Sequence, residues 1–171
     1  MTTDLAIAEQ VLVKGDLSKL NDEQRLVYYN KYCETLGLNP LTRPFEYITL
    51  QGKLLLYARK DATEQLRKIH NVSLEIVKRE IVNGVYIVTA RAILPGGRYD
   101  ESIGAVTLPQ NGGDAYANAI MKCETKSKRR VTLSIVGLGL LDETEIETIP
   151  PSALREMQPP KALTQTNNIT E

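Results

Sequence analysis

The stretch VSLEIVKREIVNGVYIVTARAILPGGRYDESIGAVT, residues 72–107, decides the fold. Asn83 and Gly84 stand between two runs rich in Val, Ile, Tyr and Thr. Asn-Gly is the dipeptide that most readily takes φ > 0 at both central positions, as a tight turn between antiparallel strands requires. Residues 72–82 and 85–94 therefore form a hairpin. Pro95, Gly96 and Gly97 make a second turn, and residues 98–107 supply a third strand. The expected unit is a three-stranded antiparallel meander.

Downstream, residues 109–113 read as a loop and GDAYANAIMKCETKSKRRVTLSIVGLG, residues 113–139, as a long helix. Asp114 is its expected cap, and Gly137 and Gly139 end it after about Val136. Upstream, Asn21 with Gln24 three residues on has the form of a capping box. Leu26, Tyr29, Cys33 and Leu36 follow at helical spacing, with Gly37 at the C′ position and Pro40 beyond. Residues 45–50 and 53–58 read as a second hairpin about Gln51 and Gly52, although Gln is not the favoured partner of Gly in a two-residue turn. Asp61 is placed to cap a short helix through Ile69. A short helix or strand is expected near residues 6–13. The order α-β-β-α-β-β-β-α defines an α+β fold: a curved antiparallel meander packed against a long C-terminal helix, with an N-terminal helix and hairpin. Residues 1–149 form one domain. Pro150, Pro151, Pro159 and Pro160 punctuate a Gln-, Asn- and Thr-rich stretch, so residues 150–171 are expected to be a disordered tail.

Composition narrows the function. Of 171 residues, 42% are hydrophobic and 25% charged, as in an ordinary globular domain. No apolar run reaches the ~20 residues that span a bilayer. The N-terminus does not read as a signal peptide, so a cytoplasmic protein of a bacterial or phage-infected host is expected, with no membrane partner. Cys33 and Cys123 lack metal or redox spacing and read as small buried hydrophobes. With His70 the only histidine, no Ser-His-Asp or Cys-His set assembles. There is no G-x-x-x-x-G-K-[ST] and no G-x-G-x-x-G after a strand, which argues against an ATP-driven motor. No cofactor is expected.

Charge is unevenly spread. The chain has 21 basic and 21 acidic residues, but residues 142–171 hold six acids against Arg155 and Lys161, leaving 19 basic and 15 acidic residues before them. Five of those cations, Lys122, Lys126, Lys128, Arg129 and Arg130, lie in nine residues of the long helix. At ~100° per residue, Lys122, Lys126 and Arg129 project within ~60° of one another, with Arg130 beside them. Tyr116, Ala117, Ile120, Ser127, Val131 and Ile135 occupy the opposite arc, free to bury against the sheet. Cations one helical turn apart can neutralise successive phosphates of a nucleic-acid strand and release its counterions; Arg adds bidentate donation. Lys53, Arg59, Lys60, Arg91 and Arg98 are candidates to extend such a groove. Arg91 stands out because it lies in an apolar strand, where a charge needs a partner or a groove. Tyr47, Tyr57, Tyr86 and Tyr99 lie on strands, where core packing outweighs base stacking as a role. The acids Asp142, Glu143, Glu145 and Glu147 suit a solvated run better than a Mg²⁺ site.

The motifs carry a resemblance. Residues 86–106 contain Asp100, Glu101 and Gly104 as a D/E-E/D-x-x-G element, and Ala115, Ala119, Lys122 and Lys126 follow at A-x-x-x-A-x-x-K-x-x-x-K spacing. Together with LGLNPLTRPFEYITLQGKLLLYARKDATEQL, residues 36–66, this pattern resembles the single-strand annealing superfamily of phage RecT and Red-beta recombinases and the eukaryotic Rad-type annealing mediator. It covers roughly residues 25–141. The resemblance implies a β-β-β-α core, homo-oligomeric rings or helical filaments, and single-stranded DNA in a positively charged groove. It places Lys122, Lys126, Arg129 and Arg130 on that groove, with Arg59, Lys60, Arg91 and Arg98 as weaker matches. The expected activity is ATP-independent binding and annealing of single strands for homologous recombination, without enzymatic catalysis. The partners are single-stranded DNA, the annealed duplex intermediate, further copies of the chain, and an exonuclease or single-strand-binding protein. Two alternatives compete: a single-strand protector without annealing activity, and a small metal-dependent nuclease using the 142–147 acids.

Overall fold

A computed structural model describes residues 9–147, 149 and 150. The expected tail at 150–171 thus falls almost wholly outside the described residues, as do the first residues of the segment near 6–13; its remainder, Glu9–Val13, is a π-helical turn.

Helix α1 spans Asp22–Leu36. Its capping box forms as the sequence predicts: Asn21 Oδ1 accepts from Gln24 N at 2.9 Å and Gln24 Oε1 from Asn21 N at 3.0 Å. Gly37 closes the helix at φ 72°. The buried face differs from the expected one. Cys33 is fully buried and Tyr29 and Leu36 half-buried, but Leu26 is 61% exposed. Tyr28 and Tyr32 join the packed side instead. The Tyr29 hydroxyl docks the helix on the first strand, donating to Phe45 O at 2.9 Å and accepting from Phe45 N at 3.1 Å.

Strands β1 (Phe45–Leu50) and β2 (Lys53–Ala58) form an antiparallel hairpin. Gln51 and Gly52 both take positive φ, 51° and 78°, as a two-residue hairpin turn demands. Helix α2 covers Lys60–Ile69. Its N-cap is Arg59, not the expected Asp61, and no cap side chain bonds the helix. Glu143 Oε1 accepts from Lys60 N at 3.1 Å from 83 residues away, so a distant carboxylate satisfies the orphan amide.

Strands β3 (Ser73–Val82), β4 (Val85–Ile93) and β5 (Tyr99–Thr107) make the antiparallel meander in the order β3-β4-β5. It is a sheet separate from the β1-β2 hairpin. Asn83 and Gly84 turn at φ 50° and 77°. A bulge at Val77 shifts the β3 register. Helix α3, Gly113–Ile135, lies on β4 and β5. Its N-cap is Gly112, and Asp114, expected as the cap, sits inside the first turn, where a carboxylate favours the helix dipole.

The helix approaches the sheet closely because small residues line the contact. Ala90, Ala92, Cys123 and Ser127 are fully buried. Gly104 is required: a Cβ there would lie 2.4 Å from Cys123 O and 2.8 Å from Ser127 N. Cys123 Sγ donates toward Tyr86 O and Gly104 O, both at 3.2 Å. Burial raises the Cys123 thiol pKa, as it does that of Cys33. Both cysteines are thus the packed hydrophobes the sequence implies. Leu133, near the end of α3, enters a second core with Leu20, Phe45, Leu56 and Leu66. The long helix therefore joins the meander to the hairpin layer, and the fold is α+β. No described helix is long and apolar enough to cross a membrane.

Candidate nucleic-acid interface

After α3 the chain turns back across it. Ala58 N donates to Leu141 O at 2.8 Å and Ala58 bridges Asp142, fastening the segment beside β2. Asp142 is fully buried. Its Oδ1 accepts from Thr144 Oγ1 at 2.6 Å and Glu145 N at 2.9 Å, capping the one-turn helix α4, Glu143–Ile146. This corrects the reading of 142–147 as a solvated acidic run. Asp142 is an internal anchor, and the three glutamates reach the cations of α3.

The pairing is specific. Glu143 Oε1 is 2.9 Å from Arg129 Nη1, Glu145 Oε1 is 2.8 Å from Arg130 Nη1, and Glu147 pairs with Lys122. Lys128 pairs within its own helix with Glu124 at 2.8 Å, and Glu124 also holds Arg79 of β3 at 3.1 Å. The hydrogen bond from Lys128 and then the one from Arg79 keep the Glu124 carboxyl below its ordinary pKa, against partial desolvation. An open row of unpaired cations is therefore not what the fold builds. Among the described residues, Lys126 alone of the five carries no ion pair.

The cations divide into two adjoining groups. Lys122, Lys126 and Arg130 recur at i, i+4 and i+8 on α3, a stripe rising ~6 Å per step. Beside it, α2 and α3 enclose a cleft of about 150 Å³ lined by Lys60, Arg67, Lys128 and Arg129, with Thr63, Thr125 and a single carboxylate, Glu64. Lys60 reaches Glu64 at 3.6 Å. Arg67 was not singled out from sequence. Burial, opposed by Glu64 and reinforced by the nearby Arg129 charge, lowers its pKa from the ordinary value. Arg67 and Arg129 line the same cleft, and Arg129 is already paired with Glu143 at 2.9 Å. The signal was in the sequence: Arg67 falls seven residues after Lys60, two turns along the same helix face.

Four candidates lie elsewhere. Lys53 is exposed at the start of β2, at the opposite end of that strand from Ala58. Arg59 donates to Arg43 O at 3.3 Å and lies 4.0 Å from Glu46, so it braces the hairpin side. Arg98 is exposed beside the β4-β5 turn. Arg91 has a partner, not a groove. Its Nε and Nη2 both donate to Glu101 Oε1, at 2.8 and 2.6 Å, and its guanidinium lies 4.8 Å from the Tyr99 ring centroid. It projects from the sheet face away from α3, because Ala90 and Ala92 on either side are buried toward the helix.

The tyrosines mostly pack. Tyr86 is buried. Tyr47 donates to Arg25 O and Tyr57 to Glu46, and burial foremost pushes both phenols up to about 12. Tyr99 is 60% exposed but shares the Arg91 face. A larger concavity of about 400 Å³ opens at the C-terminal end of α3. Arg130 and Glu145 stand on its wall with Ser102, Ser134, Gly137 and Leu138. No group of three or more His, Cys, Asp or Glu is placed to hold a metal ion among the described residues. Compared with protein-family models and with curated proteins, the sequence matches none.

Proposed function

We propose that this chain binds single-stranded DNA through its phosphates along α2 and α3 and, as an oligomer, helps complementary strands anneal without ATP. The observation that carries the proposal is the convergence of Lys60, Arg67, Lys128 and Arg129 on one cleft beside the Lys122-Lys126-Arg130 stripe. Cations at one-turn spacing suit a phosphate backbone, whose neutralisation releases counterions whatever the base sequence. The concavity beside Arg130 offers an unstacked base the Ser102 hydroxyl and apolar surface, the Ser134 hydroxyl being donated to Asp100, which favours a single strand over a duplex. The resemblance to the single-strand annealing superfamily in residues 25–141 points the same way. β3 and β5 both present open edges in the described sheet, and such edges are templates for pairing with another copy.

A Lys126→Ala, Arg130→Ala variant should bind a fluorescent oligothymidylate about tenfold more weakly than the parent. Its plot of log affinity against log salt should flatten by about 1–1.5, from ~0.7 per lost phosphate contact. Anisotropy titrations at several salt concentrations give both numbers. A slope identical to the parent's would remove the stripe from the binding site.

A further inference from the structure

We infer that Glu145 and Glu147 occupy phosphate positions on this surface and hold it closed against DNA until a strand displaces them. The inference rests on the DNA-binding proposal and adds its regulation. Along α3, Lys122 and Arg130 lie eight residues apart, ~12 Å of helix rise, with Lys126 midway. Glu147 takes the first and Glu145 the last, while Lys126 has no ion pair among the described residues. The carboxylates thus sit at the ends of a three-cation ladder whose middle rung is open. A phosphate landing on Lys126 would have its neighbours compete directly with the two glutamates.

The three pairs are not equivalent. The Arg129 side chain is 11% exposed, and its partner Glu143 also accepts from Lys60 N, so that pair joins α2 to α3 and stays in place. The Lys122 and Arg130 side chains are 41% and 43% exposed; of their partners, Glu147 is 58% exposed and Glu145 17%. An ion pair as wet as Lys122–Glu147 contributes little, so Glu147 exchanges for phosphate first, and Glu145, which also accepts from Asp142 N, follows at greater cost. The anchor at Asp142 keeps the displaced segment tethered, so the glutamates return at high local concentration when the strand leaves.

The test is a Glu145→Gln, Glu147→Gln variant of the full chain, titrated with a labelled oligothymidylate beside the parent. Gln keeps the acceptor that Glu145 offers Asp142 N in the capping box. A Glu23→Gln, Glu34→Gln variant makes the same change in net charge on α1, away from the stripe. We expect the first variant to bind about five- to tenfold tighter than the parent and the α1 variant to match the parent. Adding Lys122→Gln and Arg130→Gln to the first variant should abolish the gain. Glu147→Gln alone, which leaves the α4 cap untouched, should give about a two- to threefold gain and guards against loss of folding in the double variant. Binding by the parent with no gain in either glutamate variant, or an equal gain in the α1 variant, overturns the inference alone. Absence of binding in every protein overturns the DNA-binding proposal with it.

Discussion

At Gly104 a hydrogen in place of a methyl sets the spacing between α3 and the meander. A Cβ would collide with backbone, Cys123 O at 2.4 Å, and not with a flexible side-chain end. Gly104→Ala should therefore cost about 1–3 kcal/mol, the range for overpacking a tight core. Urea denaturation should show a lower midpoint with an unchanged slope; an unshifted midpoint would mean that helix and sheet separate freely. The glycine was visible in the sequence, but its reason was not, because the contact joins residues 19 and 23 positions apart. Arg91 is the reverse case. The sequence showed that it needed a partner, and counting outward from the Pro95–Gly97 turn places Glu101 opposite it, the pairing observed. Glu75 faces Arg91 only because of the bulge at Val77, and no residue in that run announces a bulge.

At the scale of elements, local chemistry was legible and long-range chemistry was not. Both hairpins, the Asn21 capping box and the long helix follow from neighbouring residues. The α2 cap did not, because its acceptor is Glu143. Nor did the pairing of Lys122, Arg129 and Arg130, because Glu147, Glu143 and Glu145 come after a chain reversal. The Glu124 link between Arg79 on β3 and Lys128 on α3 has a pH signature. Its carboxyl is held below the ordinary 4.5, chiefly by the Lys128 hydrogen bond. A depressed folded pKa means that the unfolded chain takes up the proton first. The contribution is therefore complete at neutral pH and is lost as pH falls through the ordinary carboxylate range toward the lower folded value. Glu124→Gln should flatten the fall in urea midpoint between about pH 5 and 3 relative to the parent. Parallel pH profiles would show that Glu124 holds no more tightly to its partners in the folded state than in the unfolded one.

For the whole molecule the question is what neutralising a strand achieves. Two single strands repel through their phosphates, and their bases pair only where they are exposed and unstacked. On the proposed reading, phosphates lie along α3, most base edges face outward, and neighbouring copies present a neutralised strand to its complement. A protector would bind the strand equally well but hide the bases. The two roles therefore separate in rate, not affinity. With donor- and quencher-labelled complementary oligonucleotides and no nucleotide triphosphate, the parent should shorten the pairing half-time at least tenfold at low salt. That acceleration should fade between 50 and 200 mM salt, the ~range over which multiple phosphate contacts weaken steeply. Lys126→Ala with Arg130→Ala should lose it, and the Glu145→Gln, Glu147→Gln variant should keep it to higher salt. Tight binding without faster pairing would make the chain a protector, because the same cations would then hold a strand whose bases cannot reach a second one.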